Sequence, residues 1–175
     1  RALEETARHL THAYPGMTIR AIRADFERAC ALIPREPSLV LFLGSNIGNF
    51  DHAESVRFLS ALRGHQVLVS FDMQKNHGLL HAAYNDAQGV TAEFNLNLLA
   101  RINRELGGNF DLAQWKHLSF YNAAAGRIEM HLVSQGAQAV RVLDETHLFE
   151  AGEGIHTENS YKFSDEQISA IAAES

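Results

Sequence analysis

Leu39-Val40-Leu41-Phe42-Leu43-Gly44-Ser45-Asn46-Ile47-Gly48-Asn49 joins a run of large hydrophobes to a polar turn bracketed by two glycines. Such a run predicts a strand of a parallel sheet covered on both faces, and in open α/β sheets ligands gather at the carboxyl ends of such strands. Gly44 and Gly48 let a ligand approach the backbone closely, while Ser45, Asn46 and Asn49 offer it uncharged hydrogen bonds. The plainer alternative is a strand-to-helix loop in which Asn49 or Asp51 caps a helix starting near His52.

On the amino-terminal side, Leu3, Ala7 and Leu10 recur at helical spacing until Pro15-Gly16 ends the run. Residues 17–24 read as a short strand, Asp25-Phe26 opens a helix to about Leu32, and Pro34 and Pro37 mark the loop before Leu39. On the other side follow a helix over 52–62, a break at Arg63-Gly64 and a strand over 66–73. This alternation predicts an α/β fold containing part of a doubly wound parallel sheet. Beyond Lys75 the pattern changes to helices over 77–87 and 91–106, the second with Phe94, Leu98, Leu99, Ile102 and Leu106 on one face. Strand candidates then crowd together at 115–122, 127–134, 139–143, 147–151 and 155–163, as in an inserted antiparallel subdomain. Ser164-Asp165-Glu166 caps a last helix over 167–173. The expected division is therefore 1–76 for the parallel domain, 77–163 for an α+β subdomain, and 164–175 for a helix returning to the first.

The composition fits one globular core: 175 residues, 46% hydrophobic and 21% charged. A formal charge of −6, with fifteen dispersed lysines and arginines, gives no footprint for a phosphate backbone, so nucleic acid is not an expected partner. The longest apolar runs are strand-sized, which argues against a membrane span, and no leader pattern opens the chain. The single cysteine, Cys30, sits beside Ala29 in a helix-like stretch and reads as a small core residue in a reducing, cytoplasmic setting. The chain opens at Arg1 without a methionine, inside a helix-like stretch, and is expected to be a fragment and a monomer.

Three loops fall at the carboxyl ends of successive expected strands: Asp25-Phe26, residues 44–49 and residues 72–75. In a doubly wound sheet they line one edge, where an extended cofactor sits. Asp25 with Phe26 suits an adenine, the carboxylate or backbone toward the exocyclic amine and the ring against the base, although a helix cap and a core residue are the simpler roles. The chain has no Gly-x-Gly fingerprint, phosphate loop, His-Glu-x-x-His or Cys-x-x-Cys, so a cofactor-gripping glycine loop is expected upstream of Arg1. Of the ten histidines, His77 and His81 share a helix face without a carboxylate-rich companion motif, and no metal is expected. Tyr84, before the turn at Asp86, is placed either to end a helix or to point its hydroxyl into a pocket. Residues 127–130 alternate charged and apolar, which puts Ile128 and Met130 on one side of a strand. Glu158 and Ser160, also two apart, project an acceptor and a hydroxyl from one strand face, a way to hold an imidazole, the alternative being an exposed face.

Asp25-Phe26, Gly-Ser-Asn-Ile-Gly-Asn at 44–49, Asp-Met-Gln-Lys at 72–75, the run from Tyr84 to Asn95, Asn-Arg-Glu-Leu at 103–106, Arg-Ile-Glu-Met at 127–130 and Thr-Glu-Asn-Ser-Tyr-Lys-Phe at 157–163 occur in a fixed order. In that order they resemble the histidine Nα-methyltransferase family of ergothioneine biosynthesis across nearly the whole chain. The resemblance implies a class I, Rossmann-like methyltransferase domain binding S-adenosyl-L-methionine, and a second domain closing over L-histidine. It implies adenine contacts from Asp25 and Phe26, and a grip on the amino and carboxylate groups by Gly44 and Asn49, which carry the catalytic positioning. It further implies that Tyr84 adds to the carboxylate grip and that Met130, Glu158 and Ser160 line the side-chain pocket. The upstream cofactor loop, the ribose-binding acid and part of the substrate domain would lie outside this fragment, leaving it inactive alone. A related enzyme acting on a tryptophan derivative and a non-catalytic binding module are the alternatives.

Overall fold

The computed structural model describes residues 2–175, apart from the side chains of Phe26 and Glu27. After α1 (Ala2–Ala13) and the short α2 (Phe26–Cys30), strands β1 (Leu39–Phe42) and β2 (Gln66–Val69) pair in parallel, Leu39 opposite Gln66 and Phe42 opposite Val69. The crossover is α3 (His52–Ser60), which starts where a capping box requires it. The Asp51 carboxylate accepts from the Glu54 backbone N–H, and the Glu54 carboxylate accepts from that of Asp51, both at 2.8 Å. Asp51, and not Asn49, is therefore the cap. Phe42, Phe50 and Phe58 pack ring against ring, and Ile47, Leu62, Phe163 and Ile171 complete this core.

Two expectations are corrected here. The run at 39–43 is covered on one face only: Phe42 is 8% exposed, whereas Leu39, Leu41 and Leu43 are 62%, 56% and 50% exposed. Residues 17–24 form no strand, because β1 and β2 pair with one another alone and a strand needs a ladder partner for its backbone groups. What the structure shows is a mixed helix and sheet fold with a two-stranded parallel unit, extended by a single parallel bridge between Met73 and Phe163.

Next come α4 (His77–Tyr84) and α5 (Val90–Leu106), packed on one face of an antiparallel sheet ordered β3-β4-β7. Its strands are β3 (Trp115–Asn122), β4 (Arg127–Ser134) and β7 (Gly154–Tyr161). A hairpin of β5 (Gln138–Val142) and β6 (Glu145–Phe149) adds Val140 to a core with Leu99, Phe110, Trp115 and Leu132. The buried stripe of α5 is rotated from the expected one. Asn95 and Leu99 point inward, while Phe94 and Leu98 are 66% and 39% exposed. The Asn95 amide explains the rotation: it donates to the His131 carbonyl at 3.1 Å and to His117 Nδ1 at 3.0 Å, drawing a polar residue into the sheet where both donors are satisfied.

The chain then returns. Ser164 and Gln167 form a second capping box, and α6 (Asp165–Glu174) lies against α3 with Ile171 buried in the first core. Among the described residues no helix is long and apolar enough to cross a membrane.

Candidate functional site

Side chains alternate along β7, and its register with β4 places Glu158 opposite Met130 and Ser160 opposite Ile128. Glu158 and Ser160 thus share the face on which Met130 and Ile128 are buried with Leu80 beneath Tyr84. Lys162 continues this face just past the strand, and its side chain is 1% exposed. Its ammonium donates to Ser160 Oγ at 2.7 Å and to Tyr84 Oη at 3.0 Å, and lies 3.1 Å from Asp72 Oδ2. Tyr84 Oη itself donates to Ser160 Oγ at 2.8 Å. Burial alone raises the Asp72 pKa, but bonds and charge from Lys75 and Lys162 outweigh it and hold the carboxyl below its ordinary value.

Tyr84 is held from both sides. His117 Nε2 donates to its carbonyl at 2.9 Å, and the neighbouring Asn85 amide donates to Ser119 O at 3.2 Å. The other ring nitrogen of His117, Nδ1, faces the Asn95 amide nitrogen at 3.0 Å, so one histidine links α4 to α5. Asp86 then starts α5 by accepting from the backbone N–H of Val90 and Thr91, bonds that pull its pKa down to about 2.

The glycine-bracketed turn reaches this face from the other side. Gly44 (φ +83°) and Ser45 (φ 57°) both take left-handed backbone, and Ser45 N–H donates to Ser70 Oγ, tying the turn to the end of β2. Residues Asn46–Asn49 wind into a 3-10 turn that packs on β7. Gly48 makes that approach possible: a Cβ there would sit 3.0 Å from the Tyr161 carbonyl and 3.6 Å from Ser160 Oγ. At the end of the turn the Asn49 amide donates to Glu158 Oε1 at 3.3 Å. Asn46 bonds back to Leu43 O and serves the turn itself.

Of the residues expected from sequence, Asn49, Tyr84, Met130, Glu158 and Ser160 are brought together, with Gly44 exposed at the base of the same turn. Asn49 and Tyr84, expected at the amino-acid end of a ligand, bond directly to Glu158 and Ser160, expected at its ring end. Asp25 is not drawn in; its carboxylate is 84% exposed beside Arg28, and it caps α2 by position without a side-chain bond. The expected ring contact of Phe26 lies outside the described residues. Sequence reasoning missed the roles of Lys162 and Asn95; the alternation Glu158, Ser160, Lys162 puts the first on the face of the site without showing what its ammonium meets. A groove of about 230 Å³ runs past Glu158, Thr157, Asn95, Phe94, Leu98 and Arg101, which accounts for the two apolar residues excluded from the core. A larger cavity of about 420 Å³ lies elsewhere, against Leu62, Val67 and Ile168.

On the opposite face of the sheet, potential ligand atoms of Glu129, His131 and His156 lie within 4.8 Å of one another. The two rings stack at 4.5 Å with an interplanar angle of 14°, so their lone pairs lie in offset parallel planes and do not converge on one ion. Glu129 is instead a structural partner of Arg127, whose hydrogen bonds lower its pKa against the opposing effect of burial.

The whole chain, residues 1–175, matches the family described as histidine-specific, SAM-dependent methyltransferase. It is 46% identical over 169 residues to the histidine N-alpha-methyltransferase of Mycolicibacterium smegmatis, covering 92% of this chain and 53% of that protein. Identity to the enzyme of the same name from Mycobacterium tuberculosis is 43% over 179 residues, covering 98% of this chain and 56% of that one. Ergothioneine biosynthesis protein 1 of Schizosaccharomyces pombe is 31% identical over 173 residues, 92% of this chain and 22% of its own length. The chain belongs to the histidine-specific, SAM-dependent methyltransferase family. It spans about half the length of the mycobacterial relatives it matches.

Proposed function

We propose that this chain carries the histidine-binding part of an S-adenosylmethionine-dependent enzyme that methylates the α-amino group of L-histidine to its trimethylated betaine. In this reading β1, β2 and their loops are part of a class I, Rossmann-like doubly wound sheet. The observation that carries it is one face of β7, where the Glu158 carboxylate and the Ser160 hydroxyl stand beside buried Met130, with Asn49 and Tyr84 hydrogen-bonded to them. An imidazole presents one N–H and one bare nitrogen and matches an acceptor and a donor side by side. An indole has no bare nitrogen and leaves Ser160 unmatched, which favours histidine over a tryptophan derivative.

The open carboxylate of Asp25 suits the polar groups of the cofactor, and Asp25 with Phe26 would hold its adenine. When bound, S-adenosylmethionine supplies an electrophilic methyl. The task of the protein is then to hold a neutral amine in line at about 3–3.5 Å from it. Gly44 and Asn49 contribute uncharged polar groups there, whereas a carboxylate would keep the amine as ammonium. Histidine binding exchanges the bond between Asn49 and Glu158: the ring N–H replaces the amide on Glu158, and Asn49 is released toward the amino end. As methyls accumulate the nitrogen loses its hydrogens, so retention passes to Glu158 and Ser160 on the ring.

The test is mass spectrometry of L-histidine incubated with S-adenosylmethionine and the protein expressed from its complete coding sequence. Stepwise gains of one, two and three methyl groups are expected. No gain on histidine, with binding retained, would make the chain part of a binding module. Glu158→Ala is expected to weaken histidine binding about tenfold or more by calorimetry, and unchanged affinity would remove Glu158 from the pocket.

A further inference from the structure

Lys162 is the most buried cation of the site, and all three of its ammonium hydrogens have acceptors: Ser160 Oγ at 2.7 Å, Tyr84 Oη at 3.0 Å and Asp72 Oδ2 at 3.1 Å. An ammonium donates only. It therefore obliges both hydroxyl oxygens to act as acceptors on the side facing it and leaves their protons to be directed away from it. One of those protons is spent between the two hydroxyls, since Tyr84 Oη donates to Ser160 Oγ at 2.8 Å. Ser160 Oγ then accepts twice, and its own proton points elsewhere.

We infer that Lys162 is a positioning residue that turns the Ser160 hydroxyl proton toward the ligand and so sets the pocket for a neutral ring bearing one N–H and one bare nitrogen. The inference rests on the histidine reading above. Glu158 is the fixed acceptor for the N–H, and Ser160, held as a donor, meets the bare nitrogen. Two positions along a strand span about 6.6 Å, which a five-membered ring with a hydrogen bond of about 2.8 Å at either end fills. Asp72 gives the arrangement a second consequence. It stands just past the carboxyl end of β2, so the charge that orients the pocket is anchored on the parallel unit, while Ser160, which it orients, belongs to the antiparallel sheet.

The experiment is calorimetric titration of the protein expressed from its complete coding sequence with L-histidine and with the two pyrrolylalanine isomers, which keep a ring N–H and lack the bare nitrogen. The wild type is expected to prefer histidine about tenfold or more, because a pyrrole leaves the Ser160 proton without an acceptor. In Lys162→Met that preference collapses to the value found for Ser160→Ala, and the double variant shows no further change. A purely structural lysine would lower affinity for all ligands in parallel and leave the ratio intact, which would overturn the inference. Should Lys162→Met not fold, Asp72→Asn/Lys162→Met, which leaves no unpaired carboxylate behind, is expected to show the same collapse. A wild type that binds pyrrolylalanine as tightly as histidine overturns the inference without any variant. Failure to bind histidine at all overturns the functional reading itself, and the two failures are thereby distinct.

Discussion

The parallel pair leaves Leu39, Leu41 and Leu68 more than half exposed, whereas the antiparallel sheet buries Ile128, Met130 and Leu132 to 3% or less. Both stretches are rich in large aliphatic residues, and the difference lies in what each finds nearby. α4, α5 and the β5–β6 hairpin cover one face of the antiparallel sheet, while its other face carries a polar ladder of Arg127, Glu129 and Asn122. The parallel pair is covered on one side by α3 and α6 and bare on the other. The apolar face of the antiparallel sheet is thus covered within the chain. The candidate site lies where the two regions meet, at the contact of the Asn46–Asn49 turn with β7 and at the ion pair of Asp72 with Lys162.

The largest effect is expected beneath the covered face of the antiparallel sheet. Leu132 is fully buried between Trp115, Leu99 and Val140, and Leu132→Ala is expected to cost about 3 kcal/mol in urea unfolding. A loss below about 1 kcal/mol would show that this core relaxes freely, and the contrast between the two sheets would fall. Next comes the junction. Gly48→Ala sets a methyl 3.0 Å from the Tyr161 carbonyl, and since backbone cannot turn aside as a side chain can, about 1–3 kcal/mol is expected. The same variant displaces Asn49 from Glu158, so histidine titration is expected to weaken alongside the melting temperature. Lost stability with full affinity would separate the turn from the pocket.

The sequence made much of this legible, for reasons that differ by element. β3 and β4 were readable to the residue because alternation over eight positions fixes a strand face. Ser164 and Asp51 announced their helices through capping chemistry, although Asn49 was an equal candidate until the Glu54 carboxylate was seen to close the box. The apolar run at 39–43 was legible as a strand but not in its coverage, since within this chain α3 and α6 lie on one of its faces. Asn95 and Lys162 were hidden for the opposite reason. Each is polar where an apolar residue would be expected, and only the positions of His117, Tyr84, Ser160 and Asp72, distant in the chain, supply the hydrogen bonds that make it tolerable. The site was therefore readable where spacing along one strand defines it and unreadable where it depends on contacts between strands and helices.

Acid distinguishes the two regions by a smaller margin. Asp86 holds the start of α5 with a carboxyl pKa lowered to about 2 from 3.8, by bonds from Thr91 and Val90. A lowered folded value means that its stabilisation is complete above the unfolded value and is lost as pH falls from about 4 toward 2. Asp72 is lowered in the same sense, so its tie to Lys162 is also lost toward acid. Asp86→Asn is expected to flatten the decline in urea stability between pH 5 and about pH 3 relative to wild type. An unchanged slope would mean that α5 does not depend on this carboxylate for its start.

The smallest effect is expected on the bare face of the parallel pair, where neighbouring positions test its one-sidedness directly. Val40 packs toward the Phe42 and Phe58 core, whereas Leu41 is 56% exposed on the other side of the same strand. Val40→Thr places a hydroxyl against that core and is expected to cost about 1 kcal/mol or more. Leu41→Thr exchanges an exposed side chain for a β-branched one suited to a strand, and its effect is expected to stay within about 0.5 kcal/mol in urea unfolding of this chain. Equal losses at both positions would mean that the second face is covered in solution, for instance by another copy of the chain. A dependence of the Leu41→Thr loss on protein concentration would then identify that cover as intermolecular, because dilution weakens an association and leaves a folded core unchanged.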